Sequence, residues 1–310
     1  MRREIIIGLV LMLVLSSLTI ISGNVSAEIK KEDMTWSTGY KWEYRYTTIT
    51  IATNITTILK MTIKITGESV IEIDGIDYNV FVAELTGEVE AVNIPKSVNS
   101  NFSLVEGSTI DGTLYIAKEN DETTKTVQNV KYQVREGTTG TLLNQTSTAT
   151  TFSRLISGGK PDVIDVGTTW NSTIKSETTA TITLSGSFYD ILYGEPGYTN
   201  TTTTTGGSTE TINYECTNKK TITTAAGTFE TYEIEQSKVG GQGYTLQYLS
   251  STVKGEVKDI TYDNEGTAIS LIELISYDMP SSSNGTPGFE LAIVLCSIAI
   301  ILLWKRKRMN

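Results

Sequence analysis

Residues 59–65 read LKMTIKI, and this stretch decides the fold class. Apolar side chains at every second position alternate here with two lysines and a threonine. A period of two residues is typical of a β-strand with one buried face. The stretches WEYRY at 42–46 and YTLQY at 244–248 show the same alternation. The body of the chain is therefore predicted to be all-β and mostly antiparallel, with one solvated sheet face.

Composition limits the chemistry that this chain can perform. Its 310 residues contain no histidine, and Cys216 is the only cysteine outside the C-terminal apolar run. An imidazole base, a thiolate metal site and an internal disulfide are therefore not expected. The net charge of −10 argues against nucleic acid as a partner. We predict a protein that is not an enzyme and has no catalytic residue, metal or cofactor, although a glycosidase-type pair of carboxylates stays open.

The N-terminus has the pattern of a secretory signal. Arg2 and Arg3 precede an apolar run at residues 5–21, and the small residues VSA follow at 25–27. This order predicts a signal peptide over residues 1–27 that is cut after Ala27. An uncleaved anchor helix is the alternative.

The C-terminus has an apolar run at residues 291–304, followed at once by four basic residues. The basic end predicts a cytoplasmic C-terminus and an extracellular body. Fourteen helical residues span about 21 Å, against a hydrocarbon core of about 30 Å. The run is thus short for a permanent span and has the layout of a removable sorting tail.

The entry to this run is Pro287, Gly288 and Phe289. Together with the short apolar helix and the basic end, it resembles the PGF-CTERM sorting signal of archaeal surface proteins. The resemblance implies a polar spacer at 280–288 and a sorting or transmembrane tail at 289–310. It also implies processing by an archaeosortase-type enzyme and a lipid anchor at the cell surface.

The body contains a weak internal repeat. The pattern Gly-x-x-Trp occurs at residues 39–42 and again at 167–170, and each copy precedes threonine-rich strands. A turn that leads into a tyrosine then follows, at residues 73–78 and 226–232. Two diverged β modules are predicted, at 28–157 and 158–279, each a curved sheet, roll or sandwich. Chance recurrence in a β-rich chain is the alternative.

The stretch AGTFETY at 226–232, taken with this strand order, resembles lipoprotein-carrier-like (LolA/LolB-like) domains. That resemblance implies a half-open β roll whose concave apolar face holds a lipid. The candidate ligand face is Trp42, Tyr44, Leu59 and Met61. Ordinary core packing is the alternative for these residues.

Polar features complete the sequence-based predictions. Turns are expected at Asp74-Gly75, at Asp111-Gly112 and at 264–266. The run YTNTTTTTGGST at 198–209 is expected to be a long mobile loop. The acidic turns at 119–122 and 263–265 are predicted to be solvated hairpin tips, with calcium binding as the alternative. Six sequons are candidate glycan acceptors: Asn54, Asn101, Asn144, Asn171, Asn200 and Asn284.

These features favour a glycosylated protein at the outer face of an archaeal membrane, with a structural or adhesive role in the envelope. The expected partners are the membrane, the processing enzyme and components of the surface layer. A membrane-tethered carrier or sensor for an apolar ligand is the alternative.

Overall fold

A computed structural model describes residues 29–30, 36–50, 55–93, 102–104, 108–119, 122–136 and 142–280. The predicted signal peptide with Ala27 and the sorting tail with Pro287, Gly288 and Phe289 lie outside these residues. Within them, no helix is long and apolar enough to cross a membrane.

The described chain is almost entirely β-strand, with a single short helix. The first strands are β1 (Ile29–Lys30), β2 (Lys41–Thr50), β3 (Ile55–Ile73), β4 (Ile76–Asn93) and β5 (Phe102–Leu104). Next come β6 (Thr109–Ala117), β7 (Thr123–Glu136), β8 (Leu142–Gly158), β9 (Val163–Ile164), β10 (Thr169–Ser185) and the helix α1 (Ser187–Tyr193). The last are β11 (Thr199–Thr224), β12 (Gly227–Lys238), β13 (Tyr244–Ser250), β14 (Gly255–Tyr262) and β15 (Ala268–Asp278).

Twelve of these strands form one closed antiparallel barrel. From β2 to β15 each long strand pairs with the next one along the chain, while β15 pairs with β2 and β8 with both β7 and β10. The all-β, antiparallel prediction is confirmed. β5 pairs beside β6 on the same edge of β7, and β1 pairs with β9 outside the barrel sheet.

Each predicted module contributes six strands to this barrel. The first half comprises β2, β3, β4, β6, β7 and β8, and the second half comprises β10 to β15. The halves meet at β15–β2 and at β8–β10, so the structure describes one closed sheet where the sequence predicted two separate modules. The described residues up to Asp278 form one compact unit.

The two Gly-x-x-Trp motifs occupy corresponding places in the two halves. The N–H of Gly39 donates to the carbonyl of Ile65 (2.7 Å), and the N–H of Gly167 donates to the carbonyl of Cys216 (2.8 Å). One residue further along, an extra residue forms a β-bulge in each half, at Thr66 and at Thr217. The hydroxyl of each of these threonines donates to a carbonyl of the following strand.

The barrel is filled by the alternating apolar residues that the sequence singled out. Leu59, Met61 and Ile65 are at most 1% exposed. We call the end of the barrel where β15 stops at Asp278 the near end. There the indole N–H groups of Trp36 and Trp42 donate to the carbonyls of Lys254 (2.9 Å) and Val253 (2.8 Å), so an inward-folded turn closes this end.

Four of the expected turns and loops can be compared with the structure. Asp74-Gly75 forms the predicted two-residue hairpin turn, with both residues at positive φ. The turn at 264–266 is also confirmed between β14 and β15. Asp111-Gly112 instead lies inside β6, so that prediction is wrong. The threonine run at 199–209 is part of β11 rather than a loop.

Candidate functional site

The candidate ligand face is part of the packed interior. Trp42, Tyr44, Leu59 and Met61 are all at least 95% buried. The cavity beside Trp42 and Tyr44 measures about 30 Å³, which is room for about one water molecule. In this conformation a lipid chain has no space beside these residues, and the half-open roll implied by the resemblance is a closed barrel here.

A β-bulge places two acidic side chains together inside the barrel. Gln247 lies opposite Asp259, and Leu249 lies opposite Glu256, so Val257 is the extra residue. In a regular strand, residues three apart point to opposite faces. The bulge turns both carboxyl groups inward, and Glu256 and Asp259 are 1% and 4% exposed.

The buried carboxyl groups form a small hydrogen-bonded network. The Nε2 of Gln247 donates to Oε1 of Glu256 at 3.0 Å, and the hydroxyl of Tyr44 donates to the carbonyl of Glu256 at 3.3 Å. Among the described residues, Oδ1 of Asp259 and Oε1 of Gln247 have no hydrogen-bond partner. The side chains of Gln247, Glu256 and Asp259 are thus almost completely shielded from solvent.

Burial sets the protonation of this pair. Loss of hydration raises the pKa of Asp259 to about 7, although hydrogen bonds from Glu256 and Gln247 oppose the shift. Burial, and then the neighbouring Asp259 charge, raise the pKa of Glu256 well above its usual range, with Lys160 acting against them. The pair therefore retains at least one proton at neutral pH, and its two carboxyl groups titrate as a coupled unit.

A second polar region lines the interior on β7 and β8. Gln128, Gln145 and Ser147 are at most 3% exposed, and each has a side-chain polar atom without a partner among the described residues. Helix α1 covers this side of the barrel through Tyr189, which packs with Leu143. Buried polar groups of this kind are normally satisfied by ordered water.

The threonine face is the most regular outer surface of the barrel. Three neighbouring strands each present three threonines outward at alternate positions. They are Thr146, Thr148 and Thr150 on β8; Thr179, Thr181 and Thr183 on β10; and Thr201, Thr203 and Thr205 on β11. The hydroxyl groups of β10 and β11 bond across the strands at 2.9–3.2 Å. This face therefore presents methyl and hydroxyl groups and no charge.

An acidic groove adjoins the threonine face. It has a volume of about 380 Å³ and lies on the outer surface of β4, β6 and β7. Glu84 and Asp111 line it, and Asn129 donates to Asp111 at 2.9 Å. Thr148 of the threonine face donates to Asn129 at 3.0 Å, so the two surfaces are continuous.

Three candidate glycan acceptors lie on described strands. Asn171 and Asn200 are exposed, whereas Asn144 is half-buried and accepts a hydrogen bond from Gln133 at 2.7 Å. Asn54, Asn101 and Asn284 lie outside the described residues. Whether any of the six carries a glycan stays a prediction.

The acidic turn at Asp263 and the buried Cys216 were also considered as candidate sites. Oδ1 of Asp263 accepts hydrogen bonds from the N–H groups of Glu265 and Thr267, so this acidic turn uses its carboxylate internally. Burial raises the pKa of Cys216 to about 11, which keeps the thiol protonated. Among the described residues, no group of three acidic or cysteine side chains is arranged to hold a metal ion.

No protein-family model matches this sequence, and a search of curated proteins gives no significant match. Two solved structures are similar in part. One is a protein of Bacteroides fragilis, proposed to be exported and described with a YmcC-like fold (12% identity, TM-score 0.34, covering 78% of this chain and 97% of its own). The other is a proposed lipoprotein of Parabacteroides distasonis (12% identity, TM-score 0.28, covering 82% and 100%). Scores this low establish no common fold, and no function follows from them.

Proposed function

We propose that this chain is a non-enzymatic protein displayed at the outer face of an archaeal membrane, with an adhesive or structural role in the envelope. The N-terminal signal and the PGF-CTERM-like tail support the address. An archaeosortase-type enzyme would process the tail, and surface-layer components are the expected neighbours. The filled barrel supports a role in presenting its surface rather than in enclosing a ligand.

The observation that carries this proposal is the separation of the chain end from the threonine face. Strand β15 ends at Asp278 at the near end, and the tail follows in the sequence. Thr201, Thr203 and Thr205 lie near the start of β11, which begins at the opposite end of the barrel, called the far end. The chain thus leaves the barrel at the end opposite this uncharged face.

Antibodies against the barrel and intact-mass measurement test the proposal together. We expect the antibody to label intact cells, and the native protein to lack residues 1–27 and the apolar tail. Labelling that needs permeabilised cells would contradict surface display. A native mass that still includes residues 291–304 would refute processing of the tail and leave display intact.

We also infer that the two halves of the barrel descend from one six-stranded unit. The matching Gly-x-x-Trp contacts and the two bulges support this. Gly39 and Gly167 both have positive φ, 98° and 89°, where alanine is strained. Gly39→Ala and Gly167→Ala should therefore lower the free energy of unfolding by similar amounts, and a loss confined to one of them would contradict the correspondence.

The carrier alternative would need the interior to open. A lipid-binding assay with a fluorescent fatty acid tests it directly. Saturable binding that is weakened by Ile63→Trp, at a residue that lines the cavity beside Trp42 and Tyr44, would favour the carrier over display alone.

A further inference from the structure

The N-terminal part of β11 is an open edge of the sheet. Residues 199–209 pair with β10 on one side, and pairing with β12 begins only at Ile212. No described strand lies on the other side of this segment. Residues 175–185 of β10 and 199–209 of β11 are called the β10–β11 extension below.

Two hydrogen bonds show which residues of this edge direct their backbone groups away from β10. The N–H of Cys216 donates to Thr168 on the β10 side, and the carbonyl of Thr211 accepts from Val239 on the β12 side. The register with β10 is unbroken from residue 215 to residue 199. Because backbone groups alternate along a strand, Thr201, Thr203 and Thr205 direct their N–H and C=O groups to the open side.

This edge lacks the features that usually prevent pairing with another strand. Natural edges are protected by lysine, proline, bulges or a covering element. Residues 199–209 read TNTTTTTGGST, with no charge and no proline, and all of them are exposed. The segment is therefore an available template for strand addition.

We propose that this edge binds the same edge of a second copy of the chain in antiparallel orientation. Charge supports a second copy as the occupant. The chain carries a net charge of −10, so two copies repel wherever acidic surfaces meet. The uncharged edge lets them approach without placing like charges opposite each other.

The threonine pattern is compatible with a contact centred on Thr203, and this is the register that we propose. An antiparallel pair centred on Thr203 places Thr201 opposite Thr205 of the second copy and Thr203 opposite its own counterpart. Each of these threonines directs its backbone groups outward, as hydrogen-bonded pairs require. Threonines already lie opposite threonines between β10 and β11, there at non-hydrogen-bonded positions, whereas the pairs between the two copies would be hydrogen-bonded ones. Glu210 falls outside the paired segment.

Antiparallel pairing turns the two barrels in opposite directions. The near ends, where Asp278 lies, would then be the most distant parts of the dimer. If the protein is displayed at the membrane as proposed above, the contact joins proteins on two facing membranes. Each contact is small, and many copies on one membrane would add avidity.

A proline variant and a valine variant at Thr203 test the edge itself. The protein purified from its native membrane in detergent should show a monomer–dimer equilibrium in analytical ultracentrifugation. Thr203→Pro removes an outward N–H at an edge position where proline is tolerated, and it should abolish the dimer. Thr203→Val keeps the N–H and should retain it. A monomeric wild-type protein, or an undiminished Thr203→Pro dimer, would overturn the proposal.

Cysteine cross-linking tests the register independently of any effect of proline on folding. With a short bifunctional maleimide, Thr203→Cys should cross-link to itself, above the background set by the native cysteines. Thr201→Cys should cross-link only when mixed with Thr205→Cys. Efficient self-linking of Thr201→Cys would exclude this register.

Liposome clustering tests the facing-membrane arrangement. Wild-type protein reconstituted in liposomes should cluster them, and Thr203→Pro should not. Dimers in detergent without clustering would contradict the adhesive part of the proposed function and leave the edge contact standing. Surface labelling of cells together with a monomeric purified protein would contradict the edge contact and leave the surface display standing.

Discussion

The packed interior beside Leu59 and the β10–β11 extension share one backbone architecture and differ in what covers their faces. Leu59 and Met61 are 1% exposed and surrounded by other barrel strands. The residues of β11 at 199–209 are exposed on both faces and paired on one edge only. Apolar burial stabilises the first region, whereas the hydrogen-bond ladder with β10 holds the second. The second region is therefore the part of the sheet available for contact.

The largest expected difference between the regions follows from removing a buried side chain. Leu59→Ala should lower the free energy of unfolding by about 2–5 kcal/mol, because it removes buried methyl groups and leaves a cavity. Val70→Ala on the same strand is the control, since Val70 is 59% exposed and should change stability by at most about 0.5 kcal/mol. Chemical denaturation measures both. Equal losses would mean that the interior is not packed as described.

Two glycines sharpen the comparison at the level of the backbone. A Cβ at Gly112 would lie 2.3 Å from the carbonyl oxygen of Val127, whereas one at Gly206 would meet nothing within 4 Å. Gly112→Ala should destabilise the barrel by about 1–3 kcal/mol or more through overpacking. Gly206→Ala should stabilise it by up to about 1 kcal/mol, because alanine loses less entropy in a strand. Thermal unfolding of the two variants is the measurement, and a neutral Gly112→Ala would contradict the close approach of β6 and β7.

The same contrast explains which parts of the fold were predictable from the sequence. Strands with one apolar face, such as 59–65, reveal themselves by alternation. The segment 199–209 is polar on both faces and has no such contrast, so it was predicted to be a loop. Closure of the barrel depends on pairing between β15 and β2, more than two hundred residues apart, which no local pattern reports.

The buried acidic pair was missed for a different physical reason. Glu256 and Asp259 are three residues apart, and regular alternation puts them on opposite faces. Only the bulge at Val257 brings both inside. The threonine face, in contrast, had a signal in the alternate threonines at 146–150 and 179–183, although their alignment needed the strand register.

The acidic pair gives the packed interior a pH dependence that the open edge at 199–209 lacks, since these residues carry no titratable side chain. The pKa of Asp259 is about 7 in the folded protein and about 3.9 in an unfolded chain. The folded state thus binds more protons between these values, so this group's contribution to stability is present below about pH 4 and is lost as pH rises to about 7. Burial also raises the pKa of Glu122 to about 7, with the same sign.

Asp259→Asn isolates this contribution. The variant cannot ionise, so we expect it to unfold at higher denaturant concentration than wild type at pH 8 and to lose this advantage near pH 4.5. Asp263→Asn, in the exposed turn at the far end, is the matched control. A wild-type stability that rises steadily from pH 4.5 to pH 8, with no difference in Asp259→Asn, would contradict the buried acidic pair.

The smallest expected effects separate the two faces of a single strand. Thr178 on the inner face of β10 bonds to the hydroxyl of Thr151 at 2.9 Å, and Thr151 is 7% exposed. Thr178→Val leaves that buried hydroxyl without its partner and should cost about 1 kcal/mol. Thr181→Val on the outer face breaks an equally short bond to Thr203, but water replaces it, so the loss should stay below about 0.5 kcal/mol. Denaturant titrations of both valine variants at one pH would resolve this difference, and a larger loss for Thr181→Val would mean that the outer threonine pairs stabilise the sheet instead of leaving the face free for contact.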